Sequence, residues 1–140
     1  MSEFLGTYFI TMEESGRIRL PGDFSDEFKE AAVLTYGDRP CIEIYPPAIW
    51  KSVLTDFQNQ PRPWTSQYEW QVRQKARSFK EVEIKGKGRL TVPKEHRLYA
   101  RLRNDEDCLV IGMIDHIEVW SQEQYKDAEE MHRAQQLYGK

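Results

Sequence analysis

Apolar and polar residues alternate along much of the chain, and the alternation predicts short strands interrupted by helices. Tyr8–Met12 is rich in β-branched and aromatic residues. After the turn Glu14-Ser15-Gly16, the run Arg17–Leu20 alternates as a half-buried strand does. Pro21 ends it, because proline cannot donate to a central ladder. Asp23–Glu30 reads as a short acidic helix with Asp23 or Ser25 as its N-cap. Ala32–Thr35 and Cys41–Tyr45 make a strand pair around Gly37-Asp38, and Pro47 opens a helix with Trp50, Val53, Leu54 and Phe57 on one face. Gln58–Pro63 is a polar connector. Tyr68, Val72, Ala76 and Phe79 recur at helical spacing, so Ser66–Ser78 is a bridging helix with Ser66 and Glu69 as a capping box. Then come Lys80–Ile84, the turn Lys85-Gly86-Lys87-Gly88, Arg89–Val92, Lys94–Ala100, Cys108–Met113, His116–Trp120 and Glu123–Leu137.

The second series repeats the first. Gly16-Arg17-Ile18-Arg19-Leu20-Pro21 returns as Gly88-Arg89-Leu90-Thr91-Val92-Pro93. Ile42-Glu43-Ile44-Tyr45 with Trp50-Lys51 returns as Ile117-Glu118-Val119-Trp120 with Tyr125-Lys126. Two matches in the same order at similar intervals define two copies of one unit, 5–57 and 79–137, joined by a connector and bridging helix at 58–78. The fold class is α+β. Each half is marginal by itself, so the copies are expected to pack into one unit, a closed pseudo-symmetric barrel without free edges.

Charge changes the picture only when it is resolved along the chain. The 140 residues carry 20 Lys and Arg against 23 Asp and Glu, a net charge of −3, which excludes indiscriminate coating of nucleic acid. Residues 73–103 hold eleven cations against Glu81, Glu83 and Glu95, a balance of +8. Such a window is either a solvated face or a local phosphate-binding surface. No apolar run approaches the ~20 residues of a membrane-spanning helix. Met1-Ser2-Glu3-Phe4 has neither a basic nor an apolar leader segment, and a cytoplasmic setting is expected.

The duplicated Gly-Arg turns, the two Ile-Glu-(Ile/Val)-aromatic strands, the opening Leu5-Gly6-Thr7-Tyr8 and the intervening helix resemble the MraZ transcriptional regulators of the SpoVT/AbrB superfamily. The resemblance covers nearly the whole chain. It implies a pseudo-two-fold swapped-hairpin β-barrel of the SpoVT/AbrB type, built from two repeats with flanking helices. It also implies a nucleoid-associated homo-oligomer, a ring, that binds short direct repeats in double-stranded DNA upstream of the division and cell-wall gene cluster. Four positions before the arginine, where the family carries an acid, this chain has Glu13 before Arg17 but Lys85 before Arg89. Lys85 cannot orient a guanidinium, so Lys85 and Lys87 add charge beside Arg89. The second copy is expected to be the stronger phosphate-binding element, with Glu13 and Glu14 weakening the first.

The residues themselves suit that chemistry. An arginine fork matches phosphate oxygens or a guanine edge, whereas lysine supplies point charge. Arg17 and Arg89 are assigned to the central contacts, and Arg19, Lys85 and Lys87 to backbone neutralisation. Arg17 and Arg89 holding their own turns by salt bridges is the alternative. Four such contacts give a log–log salt slope of about −3.6. An enzyme is not expected. His96, His116 and His132 lack ligand spacing, Cys41 and Cys108 form no metal or disulfide framework, and Lys85–Arg89 lacks the P-loop spacing. His116 beside Asp115 reads as a surface hydrogen bond. No metal, cofactor or small-molecule substrate is expected. The competing class is an oligomeric protein-binding scaffold or antitoxin-like partner using the acidic helix or Glu123–Leu137.

Overall fold

A computed structural model describes residues 3–138. The first half supplies β1 (Thr7–Thr11), β2 (Arg17–Arg19), α1 (Gly22–Phe28), β3 (Ala31–Tyr36), β4 (Ile42–Tyr45) and α2 (Pro47–Asn59). After α3 (Ser66–Ser78), the second half supplies β5 (Lys80–Glu83), β6 (Arg89–Thr91), α4 (Lys94–Ala100), β7 (Asp107–Gly112), β8 (Ile117–Ser121) and α5 (Gln122–Tyr138). The class is α+β. Six strands form one antiparallel sheet in the order β1-β7-β8-β4-β3-β5, and β2 pairs with β6 as a two-stranded antiparallel ribbon.

The order shows that the halves exchange strands. β1 pairs with β7 of the second half, β5 pairs with β3 of the first, and β4 meets β8 at the centre. The exchange follows from burial. Ile18, Ile42 and Ile44 are fully buried, and so are Leu90, Ile117 and Val119, their counterparts in the repeated sequence, in one hydrophobic cluster. Each such side chain contributes about 1.5–3 kcal/mol when removed from water. Neither half alone holds enough strands to cover them.

The opposite face of the sheet is covered by helices. Trp50 of α2 packs on Val33 and Tyr45, while Tyr125 and Ala128 of α5 pack near Cys41, Leu109 and Trp120. Trp50 and Trp120 are therefore core residues, whereas Trp70 is exposed. Leu54, predicted to face inward, is exposed because the buried stripe of α2 follows Trp50 and Val53.

Three local expectations are corrected. The cap of α1 is Pro21, with no side-chain hydrogen bond, so neither Asp23 nor Ser25 caps it. Thr65, one residue before the predicted Ser66, caps α3 by accepting from the Tyr68 amide at 3.1 Å, and Glu69 pairs with Arg73. The inward face of α3 ends on Lys75 and Ser78, while Ala76 and Phe79 are exposed. Among the described residues, no helix is long and apolar enough to cross a membrane.

Candidate nucleic-acid interface

The β2–β6 ribbon is built from the two Gly-Arg turns. Gly16 and Gly88 both take positive φ, +83° and +76°, a region open to glycine at little cost. Each turn is then locked by the other half. The Val92 amide donates to the Gly16 carbonyl at 2.9 Å, and the Leu20 amide donates to the Gly88 carbonyl at 2.9 Å. The glycines are thus the points where the two halves interlock, and they set how the adjoining arginines project.

Register divides the ribbon into two faces. Ile18 lies opposite Leu90 and both point into the core. The outer face carries Arg17 opposite Thr91 and Arg19 opposite Arg89. Directly opposed like charges are unfavourable in an antiparallel pair, and an anion lying across them reverses the sign of that term. Arg19 is steered by its Nε, which donates to the Lys87 carbonyl at 3.2 Å, so the first half's arginine rests on the second half's turn. Lys85 and Arg89 exchange backbone hydrogen bonds of 2.8 and 3.1 Å, which places Lys85 at the base of the same turn. Lys87 sits at its apex with φ +63°. Arg17, Arg19, Arg89, Lys85 and Lys87 are all exposed and share this end of the molecule.

The two central arginines are not equivalent. Arg17 Nε lies 3.5 Å from Glu13, and both side chains are about half exposed, so the pair orients more than it stabilises. Among the described residues Arg89 has no acidic partner within 4.0 Å, nor have Arg19, Lys85 and Lys87. They are available to an external anion.

Other cations of the basic window lie elsewhere. Arg73 pairs with Glu69, Lys75 is buried against Glu43, and Arg77 lies over the Tyr36 ring. Conversely, the first turn has cationic neighbours that chain order conceals. Lys94, Arg97 and Arg103 line a groove with Glu14 and Ser15, and the Arg97 guanidinium occupies the space where a Cβ on Gly16 would sit. The helix beside Gly88 is instead acidic α1, through Ser25. Exchange of strands therefore sets the basic helix beside the acidic turn and the acidic helix beside the basic one. Sequence neighbours could not show this.

His132 is exposed on α5, whereas the two cysteines and the other two histidines are enclosed. Burial pushes the Cys41 thiol far up and the Cys108 thiol up to about 11, so neither is a thiolate at neutral pH. His96 is buried, and its Nε2 donates to the Ser78 carbonyl at 2.8 Å. His116 does bond Asp115, at 2.7 Å, but the surface reading needs correction. Its side chain is 14% exposed, and the ring stacks on Tyr45 with centroids 4.6 Å apart.

Comparison with known proteins gives a consistent set of relatives. A family model described as "MraZ protein, putative antitoxin-like" matches residues 4–67 and again 77–137. A protein of Corynebacterium kroppenstedtii named transcriptional regulator MraZ is 31% identical over 131 residues, covering 92% of this chain and 88% of that protein. Proteins of the same name from Mycolicibacterium gilvum and Mycobacterium tuberculosis are each 29% identical over 129 residues, with the same coverage.

Proposed function

The chain belongs to the MraZ family, and on that premise we propose that it is a transcriptional regulator, not an enzyme, that grips double-stranded DNA with the β2–β6 ribbon. The observation that carries this reading is the Arg19–Arg89 opposition on the ribbon's outer face, flanked by Arg17, Lys85 and Lys87. A two-stranded ribbon fits the major groove of B-DNA. Arg17 and Arg89 make the central contacts, and Arg19, Lys85 and Lys87 neutralise the backbone. Lys94, Arg97 and Arg103 supplement the first turn, where Glu13 and Glu14 oppose phosphate.

The same reading joins the sheet and ribbon into one swapped-hairpin barrel and treats 5–57 and 79–137 as two repeats of a single unit. It is supported by the hydrogen bond from the Glu13 amide to Arg17 and by the Lys85–Arg89 bridge, which link each ribbon strand to the chain leading from β1 or β5. A few cations per chain bind DNA modestly. A ring of chains reading short direct repeats gains effective concentration, by a factor of ~10² or more. Exposed Leu5, Phe9, Leu98 and Ile114 offer apolar surface for such contacts. The site of action is the nucleoid in the cytoplasm, at the division and cell-wall gene cluster.

The test is a gel shift with DNA upstream of the protein's own gene. Retardation is expected, with a log–log salt slope of about −3.6 per protomer when four of the five ribbon cations neutralise phosphates. An Arg17→Ala, Arg89→Ala variant keeps its oligomeric state and loses that DNA. Undiminished binding by this variant would overturn the site assignment. The scaffold or antitoxin-like reading draws on the exposed Met131 and Leu137 of α5. It requires instead no DNA binding by the wild type and a protein partner held by α5.

A further inference from the structure

A polar cluster interrupts the helix-covered face of the sheet, at the seam where the two halves meet. In the register of β4 with β8, Glu43 stands directly opposite Glu118. Two carboxylates so placed repel each other, and burial strengthens the repulsion. Glu43 is held hard: its side chain is 10% exposed, and Lys75 Nζ donates to its Oε1 at 2.9 Å. The Tyr45 hydroxyl, at 3.0 Å, and the Thr35 hydroxyl, at 3.3 Å, donate to the same oxygen. All three bonds fall on Oε1, leaving Oε2 for another partner. Glu118 is fixed by Trp120, whose Nε1 donates to its Oε1 at 2.8 Å.

His116 completes the cluster. Its Nδ1 lies 2.7 Å from Asp115 Oδ1, and because the carboxylate accepts, that nitrogen carries the proton. In the neutral ring Nε2 then presents a lone pair. This nitrogen is buried and has no hydrogen-bond partner among the described residues. Stacking on Tyr45, 18° from parallel, fixes the ring plane. The ligand atoms of Glu43, His116 and Glu118 all lie within 4.8 Å of one another.

We infer that Glu43, His116 and Glu118 form a binding site for one divalent cation of the zinc class, clamped between the two halves of the chain. A histidine whose Nδ1–H is held by a carboxylate, with Nε2 free, is arranged as metal-ligating histidines are. One imidazole nitrogen with two carboxylate oxygens suits Zn²⁺, with a fourth position left for water. Ligand atoms around tetrahedral zinc are about 3.4 Å apart, so side-chain adjustments of roughly 1 Å close the set. The Lys75 ammonium on Oε1 of Glu43 lowers affinity, and the cation would take Oε2, to which none of the hydrogen bonds described above runs. A cation there replaces the repulsion between Glu43 and Glu118 by a bridge from β4 to β8.

The test uses the full chain, stripped with a chelator and titrated with ZnCl₂ by calorimetry. One equivalent per chain is expected, with a rise in the melting temperature. Asp115→Asn, which removes the group orienting His116, weakens zinc by about 10–100-fold. His116→Ala and the isosteric Glu118→Gln abolish the stoichiometric site, whereas His132→Ala, on α5, binds as the wild type does. Circular dichroism of the stripped proteins checks folding, and Glu118→Gln decides if His116→Ala is unfolded. Co²⁺ in place of zinc gives the visible absorption of a four-coordinate site. A wild type that takes up no zinc, as when a proton alone bridges the carboxylates, overturns the inference. So does a stoichiometric site that survives in both Glu118→Gln and His116→Ala.

Discussion

At the residue scale, the glycines of the second turn separate conformational need from mere smallness. Gly88 has φ +76°, and a Cβ there would lie 2.7 Å from Ser25 Cβ and 3.3 Å from the Leu20 carbonyl. Gly86, two residues earlier, has nothing within 4 Å of its Cβ position. Gly88→Ala should therefore cost about 1–3 kcal/mol from backbone strain, with the clash added. Gly86→Ala should stay within about 0.5 kcal/mol of the wild type. Urea denaturation of the two variants measures the difference. His96 gives a second residue-scale prediction. Burial holds its pKa below the ordinary value of 6.5, so the folded chain keeps it neutral with Nδ1 unpartnered. As pH falls, the unfolded chain takes up the proton first. Its contribution to stability is thus present above about pH 6.5 and is lost as pH falls toward the folded value. Urea midpoints collected from pH 7.5 down to 5 should decline, and His96→Gln should flatten that acid limb.

At the element scale, helix α3 shows what periodicity can and cannot reveal. Its span, Ser66–Ser78, follows from the sequence because the apolar positions and polar flanks are local. Its buried face does not, because Lys75 and Ser78 point inward to partners far along the chain. Lys75 reaches Glu43 of β4 at 2.9 Å, and the Ser78 hydroxyl accepts from the Tyr36 amide at 2.8 Å. A polar residue reads as exposed until its partner is known, and no spacing rule supplies one 32 residues away. Both members of the Lys75–Glu43 pair are about nine-tenths buried. Lys75→Met would leave a buried carboxylate without its cation, at a cost of about 3–5 kcal/mol. Adding Glu43→Gln to Lys75→Met should recover most of that loss, read by the same urea titrations. The ribbon illustrates the opposite case. Gly-Arg, alternation and Pro, present twice, suffice to place Arg17 and Arg89 just after a glycine turn at the start of a short strand, since turn chemistry is written in neighbouring residues. The Lys94, Arg97 and Arg103 group beside the first turn escaped, because strand exchange alone brings it there.

At the scale of the whole molecule, the exchange of strands makes a stronger demand than two packed repeats would. Each half leaves an outer strand on the other: β1 on β7, and β5 on β3. The ribbon takes one strand from each half, and its two glycine carbonyls are satisfied only across the halves. The buried cluster mixes Ile18, Ile42 and Ile44 with Leu90, Ile117 and Val119, so either half alone exposes apolar surface and free strand edges. The covalent link takes no part in the sheet or the ribbon. It runs through Gln60–Thr65, which is outside any helix or strand and largely exposed. Cutting the backbone there should therefore leave the fold accessible by association. Fragments ending and beginning within 60–65 should each lack the near-ultraviolet dichroism of packed tryptophans when studied alone, because Trp50 and Trp120 then lose part of their sheet. Mixed in equal amounts they should sediment as a one-to-one complex and regain the signal. Pairing the first half with a second copy of itself would set Glu43 against Glu43 without Lys75, which lies in the second fragment and compensates Glu43 where it faces Glu118 in the native sheet. A first fragment that folds as a monomer would show that the halves are separable, contrary to a single unit made of two exchanged repeats.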